Sequence, residues 1–214
     1  MADRVVRDGE RSKQRLLAAA TTEFAAHGIA GARVDRVAAA AQVNKAQMYG
    51  WFGSKDGLFD AVFALHLTRI VDVVPFTPQD LPGYAVSLYD SYLSDPELVR
   101  LASWYRLERV PSGPLLAAHP KLTDAKYEGI AQGQAHGWVV DGLRPDDVYA
   151  LVIALAGTWS PISATSAASR TDDETEHDRR RSALREVVQR ALVPSGTPAA
   201  VHRPRSRPGP PASR

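Results

Sequence analysis

Between Gly28 and Lys55 the chain reads GIAGARVDRVAAAAQVNKAQMYGWFGSK, and this stretch limits the possible folds more than any other. Val34, Val37, Ala38 and Ala41 form a short stripe at helical spacing, and a second short helix is expected from about Lys45 to Trp51. A tight polar turn joins the two, with Asn44 placed to cap the second. Such a pair needs a small residue where the helices cross, an apolar plug in the turn and a polar start to the second helix. Ala38, Val43 and the set Asn44, Lys45 and Gln47 meet those needs. The layout is that of a helix-turn-helix, whose second helix enters the major groove of double-stranded DNA. Within its first turn, side chains and free backbone N–H groups can reach bases and phosphates. Gln47 suits the N6/N7 edge of adenine, and Lys45 the O6/N7 edge of guanine or a phosphate.

Helical periodicity continues on both sides. Leu16, Ala20 and Phe24 keep 3.6-residue spacing from Ser12 to His27, and Gly28 suits the position just past a helix end. Ser54 can cap a fourth helix carrying Leu58, Val62 and Leu65 on one face and Phe59, Phe63, His66 and Ile70 on the next. Pro75, Pro78 and Pro82 break the chain. Tyr84, Leu88 and Tyr92 start another helix, and Asp95-Pro96 reads as an N-cap with proline at the first helical position; Leu98, Leu101, Ala102 and Tyr105 carry it on. The segment 110–120 reads as a loop and Leu122–Gly137 as a weakly patterned helix. Pro145 opens a strong helix with Val148, Leu151, Val152, Leu155 and Trp159 on one face. A small, polar and acidic stretch at 166–178 reads as a loop. The last helix runs from about Thr175 to Leu192 with Leu184, Val187, Val188 and Ala191. The Pro- and Arg-rich tail is expected to be disordered. With no strand alternation, the fold class is all-α. The expected division is an N-terminal three-helix domain bearing the helix-turn-helix at 1–55, a larger helical domain at 56–193 and the tail at 194–214.

Charge is distributed to match. Residues 1–55 hold nine Lys+Arg and five Asp+Glu, residues 56–193 hold 13 and 19, and the tail adds four arginines and no acid. A basic head on an acidic body is the footprint of a polyanion that touches one end of the molecule. The 214 residues include no cysteine, which excludes disulfides, thiolate metal sites and cysteine nucleophiles. The six histidines are scattered without metal-ligand spacing, so no metal and no cofactor are expected. No apolar run is long enough to span a membrane, and the charged start lacks the apolar core of a secretory signal. The expected location is the cytoplasm.

The stretch 12–63 resembles the DNA-binding domain of TetR-family transcriptional regulators. The likeness is carried by RLLAAATTEFAAHG at 15–28, VDRVAAAAQVNKAQMYGWF at 34–52 and GSKDGLF at 53–59. It implies that Lys45, Gln47 and Tyr49 are recognition-helix residues, with the Tyr49 hydroxyl on a phosphate. Lys55 is implied as a further phosphate contact, and Met48 and Phe52 as core. Three positions depart from the family. Arg33 stands where Ser or Thr commonly caps the second helix, and an electrostatic contact with a phosphate is the expected substitute. Gln42 stands where Gly is common, so a left-handed backbone there costs about 1 kcal/mol. Gly50 stands where a polar or aromatic residue is frequent, and no contact is carried over to it.

The resemblance further implies a C-terminal domain that binds a small molecule and dimerises, so that two heads meet a palindromic operator. The two C-terminal helices supply the expected homodimer face: Val148, Leu151, Val152, Leu155, Leu184, Val187, Val188 and Ala191. The aromatic-rich segment 84–138 suits a ligand cavity, and Trp104, Glu108, Tyr127 and Trp159 are its candidate lining. The expected function is a repressor released from DNA by a small-molecule effector. An effector-independent regulator is an alternative, and so is a helical enzyme or carrier, for which no nucleophile–base pair or phosphate-binding loop speaks.

Overall fold

The computed structural model describes residues 2–196, with side chains from residue 8 onward. The tail reading concerns residues that, from 197 on, lie outside those described. Nine helices make up the regular structure of the described residues: α1 (Ala2–Gly31), α2 (Val34–Ala41), α3 (Lys45–Phe52), α4 (Lys55–Val71), α5 (Leu81–Ser94), α6 (Pro96–Glu108), α7 (Lys121–Ala135), α8 (Pro145–Ala156) and α9 (Glu174–Leu192). Two 3₁₀ turns, Pro78–Asp80 and Gly157–Trp159, lead into α5 and follow α8. The fold is all-α, and none of these helices is long and apolar enough to cross a membrane.

Local chemistry sets most boundaries. Asn44, Ser54, Asp80 and Asp95 each accept a hydrogen bond from the first turn of the helix that follows. Pro96 and Pro145 occupy first-turn positions, where a missing N–H costs nothing. Gly28 interrupts α1 with φ 66° and ψ −177°, a conformation essentially reserved for glycine, before one more turn reaches Gly31. The loop expected at 166–178 ends sooner, because α9 begins at Glu174 with Glu174 and Glu176 favourably placed in its first turn.

Buried side chains gather in two clusters. The first joins α1 to α4 through Leu16, Phe24, Val37, Met48, Phe59 and Val62, and it also takes in Leu101 of α6 and Leu116 of the following loop. Within it Phe24 meets Phe59 edge-on at 5.1 Å and Tyr105 stacks on Phe63 at 3.5 Å. The second joins α5, α7, α8 and α9 through Leu88, Tyr89, Ile130, Val152, Leu184 and Val188. The boundary expected at residue 55 thus falls on the first residue of α4, and apolar packing runs across it into α6.

Candidate nucleic-acid interface

The turn between α2 and α3 is fixed from both ends. Gln42 adopts φ 55° and ψ 45°, and its N–H donates to the carbonyls of Ala38 and Ala39. Val43 follows with a bond to Ala38 O at 3.0 Å. From α1, Arg15 Nε reaches Ala41 O at 3.1 Å and satisfies the end of α2. Asn44 then opens α3: its Oδ1 accepts from Ala46 N at 2.8 Å, while Gln47 Oε1 accepts from Asn44 N at 3.3 Å. This reciprocal capping box ties up the first turn of α3. Met48 is fully buried beneath it, so the helix is anchored from inside.

Outside, the chemistry is polar. Asn44, Lys45, Gln47 and Tyr49 are all exposed, and Tyr49 shows 43% of its surface. Lys45 Nζ pairs with Asp35 Oδ1 at 2.8 Å, which raises the lysine's pKa. Arg33 precedes α2 without a side-chain cap, as its residue type requires. Its backbone N–H donates instead to Glu23 Oε1 at 2.8 Å. Glu23 also holds Arg36, whose guanidinium keeps the carboxylate below its ordinary pKa. Lys55 points back rather than outward: Nζ donates to Ala30 O and Ala32 O, each at 3.3 Å. The α1–α2 corner and the start of α4 are thereby pinned together. Of the six residues expected on this face, Arg33, Asn44, Lys45, Gln47 and Tyr49 are exposed, and Lys55 sits half-buried behind the corner.

The four residues expected to line one ligand cavity do not meet. Trp104 and Glu108 belong to a clamp between α6 and α1. The Trp104 ring lies 3.0 Å from where a Cβ on Gly28 would stand, and its Nε1 donates to Ala25 O at 3.4 Å. Glu108 Oε1 accepts from Ile29 N at 3.3 Å, and Arg100 donates to Ala25 O and Ala26 O at 2.6 and 3.1 Å. Residues 100, 104 and 108 repeat every fourth position, a spacing in the sequence that could have revealed Arg100 as the third member. At the far end of α6, Arg109 bonds Asp56 and Asp60 of α4 at 2.8 and 3.0 Å. Tyr127 instead packs edge-on against Tyr149 at 5.9 Å. Beside that pair, buried Lys126 donates to Val71 O and to Asp72 Oδ1, the latter at 2.9 Å, capping the end of α4. Burial pushes the Tyr149 hydroxyl up to about 12. Trp159 lines a cavity of its own, apart from the other three.

The expected dimer face is also divided. Val148, Val152, Leu184 and Val188 are buried in the protomer's own second cluster and are not available to a partner. Leu151, Val187 and Ala191 are exposed, and Leu155 is half-buried. Both helices are apolar on more than one side, and only the outer side is free. The run Arg179-Arg180-Arg181 in the first turns of α9 pairs with Glu176, Asp172 and Glu174, and Arg180 is buried.

Residues 16–62 match the family model described as bacterial regulatory proteins, tetR family. Residues 80–190 match that described as tetracyclin repressor-like, C-terminal domain. The HTH-type transcriptional repressor SCO4008 of Streptomyces coelicolor is 36% identical over 157 residues, which cover 73% of this chain and 81% of that protein. The crystal structure of SCO4942 from Streptomyces coelicolor, described as a transcriptional regulator, aligns with a TM-score of 0.70 at 37% identity, covering 85% of this chain and 98% of that one. A TetR-like transcriptional regulator from Rhodococcus sp. RHA1 shares the fold at 20% identity and a TM-score of 0.56, over 84% of this chain and 94% of its own.

Proposed function

Because the chain belongs to the TetR family of bacterial transcriptional regulators, we propose that it is a cytoplasmic, homodimeric repressor that leaves a palindromic operator when a small molecule binds. The observation that carries the DNA-reading half of this proposal is the α3 surface. Its polar residues Asn44, Lys45, Gln47 and Tyr49 are exposed together on a helix anchored by buried Met48. Gln47 reads a base edge and Lys45 a base or phosphate, exchanging its bond to Asp35 for the DNA. Tyr49, Arg33 and Lys55 hold phosphates. Asn44 keeps its cap and aims the first turn.

Dimerisation follows from Leu151, Leu155, Val187 and Ala191, an apolar strip shared by α8 and α9 that two-fold symmetry can bury against itself. A ligand that binds one arrangement of the helical domain better than another shifts the separation of the two heads, and with it the match to adjacent grooves. The test separates reading from folding. Gln47→Glu preserves the capping box, since Glu serves equally at that position, but it cannot donate to adenine N7. Operator selection with this variant should change base preference at one position in each half-site while the melting temperature holds. An unchanged preference would remove Gln47 from base reading, and loss of all DNA binding by the wild type would remove the function.

A further inference from the structure

A cavity of about 310 Å³ opens between the end of α5, the start of α6 and the loop that joins α8 to α9. Its walls include Tyr89, Tyr92, Pro96, Trp159, Ser160 and Arg170. The aromatic part is firmly held. Tyr89 is buried, meets Trp159 edge-on at 6.0 Å and bonds His177 Nδ1 through its hydroxyl at 2.7 Å. The loop is stitched down on both sides of Arg170: Ala168 N donates to Trp159 O at 2.8 Å and Ser169 N to Asp172 Oδ2 at 3.1 Å.

Ser160 and Arg170 both belong to this wall. Ser160 is 96% buried, and its hydroxyl has no hydrogen-bond partner. A buried hydroxyl in that state is costly unless something else pairs with it. Arg170 is exposed at the rim and makes no hydrogen bond or ion pair with any described residue. No carboxylate is among the residues lining the cavity. The nearest acid along the loop, Asp172, is taken by Arg180 at 2.6 Å. A ring-lined space with an unneutralised guanidinium at its mouth selects a ligand that is flat and apolar at one end and anionic at the other.

We propose that this cavity is the effector site and that it takes a small aromatic carboxylate. The ring lies among Tyr89, Tyr92 and Trp159, and the carboxylate meets Arg170 at the rim. The site lies well placed to signal. Pro96 in its wall follows Asp95, which caps α6 and pairs with Arg69 of α4 at 2.5 Å. The same helix α6 grips α1 through Arg100, Trp104 and Glu108. Filling the cavity therefore bears on the elbow that sets α6 against the DNA-binding head.

This inference rests on the regulator reading, and the experiment keeps the two apart. The full-length protein is titrated with benzoate, phenylacetate and 3-phenylpropionate, followed by tryptophan fluorescence and melting temperature. The corresponding amides and amines serve as controls, and operator affinity is measured in parallel. At least one acid should bind about tenfold or more tightly than its amide, raise the melting temperature and weaken operator binding. Arg170→Gln, a change at an exposed unpaired side chain, should abolish the preference for acid over amide without unfolding. Ala168→Phe, which fills the cavity, should block all the ligands. The proposal is overturned if no acid binds at millimolar concentration, if Arg170→Gln retains the preference, or if binding leaves operator affinity unchanged. Operator binding with no response to any acid sinks this site and spares the regulator. Acid binding by a protein with no DNA affinity sinks the regulator instead.

Discussion

At single residues, the departures from the family pattern become quantities. Gln42 does adopt the left-handed conformation that its place in the turn demands. Gln42→Gly should therefore stabilise the fold by about 1 kcal/mol, seen as a melting temperature higher by about 2–4 °C. No gain would mean that the Gln42 side chain contributes as much as the strain costs. Lys55 has two duties. Lys55→Ala frees the carbonyls of Ala30 and Ala32 from their shared donor, and should cost about 1 kcal/mol. If Lys55 also holds a phosphate, the slope of log affinity against log salt should fall in magnitude by about 1. A stability loss with an unchanged slope would leave it a purely structural link. Much at this scale was legible beforehand, since a capping Asn44, an Asp95-Pro96 start and a strained Gln42 are dictated by bonds within a few residues. The inward turn of Lys55 was not, because its carbonyl partners lie more than twenty positions away.

At the level of helices, the contact of α1, α4 and the start of α6 carries a titratable group. His66 is half-buried, with Nε2 3.0 Å from Thr21 Oγ1 and Nδ1 3.4 Å from Arg69. Desolvation first, and then the Arg69 charge, lower its pKa below the ordinary 6.5, while Asp95 and Glu97 oppose the shift. The unfolded chain thus binds the proton more readily. The stability contributed is complete above about pH 6.5 and is lost as the pH falls through the depressed native value. His66→Gln retains a hydrogen-bonding group toward Thr21 and should flatten the dependence of melting temperature on pH below about 6.5. An identical pH profile would show that His66 does not titrate in this contact. Sequence periodicity placed α4 and α6 within a few residues but began α1 at Ser12, whereas the helix starts at Ala2, and it did not say which neighbour each face would meet. Trp104 and Glu108 share a face, as their spacing requires, but that face belongs to α1 and not to a ligand cavity.

For the whole molecule, the proposed dimer rests on the outer strip of α8 and α9. Leu151→Glu with Val187→Glu alters two residues that are 43% and 47% exposed, so the protomer should keep its helix content. Sedimentation should show a monomer, and operator affinity should fall by about 100-fold or more once the half-sites are no longer bound together. A dimer that persists would place the interface elsewhere. Val152→Glu provides the contrast, since a charge at a site only 1% exposed should unfold the protomer. The sequence could not separate these outcomes. Both helices have apolar residues on inward and outward sides, and only the packing of α5 and α7 against them reveals which side is used up.

The grip of α6 on Gly28 also bears on how such proteins can be recombined. The head's share of the core is not contiguous in the chain: it borrows Leu101, Trp104 and Tyr105 from a helix forty residues beyond the helix-turn-helix. A chimera spliced at the start of α4 would join one protein's recognition helix to another's α6 and leave a foreign side chain against the bend in α1. Exchanging operator specificity between relatives should therefore succeed when Arg100, Trp104, Glu108 and Arg109 travel with the head, as a graft in two pieces.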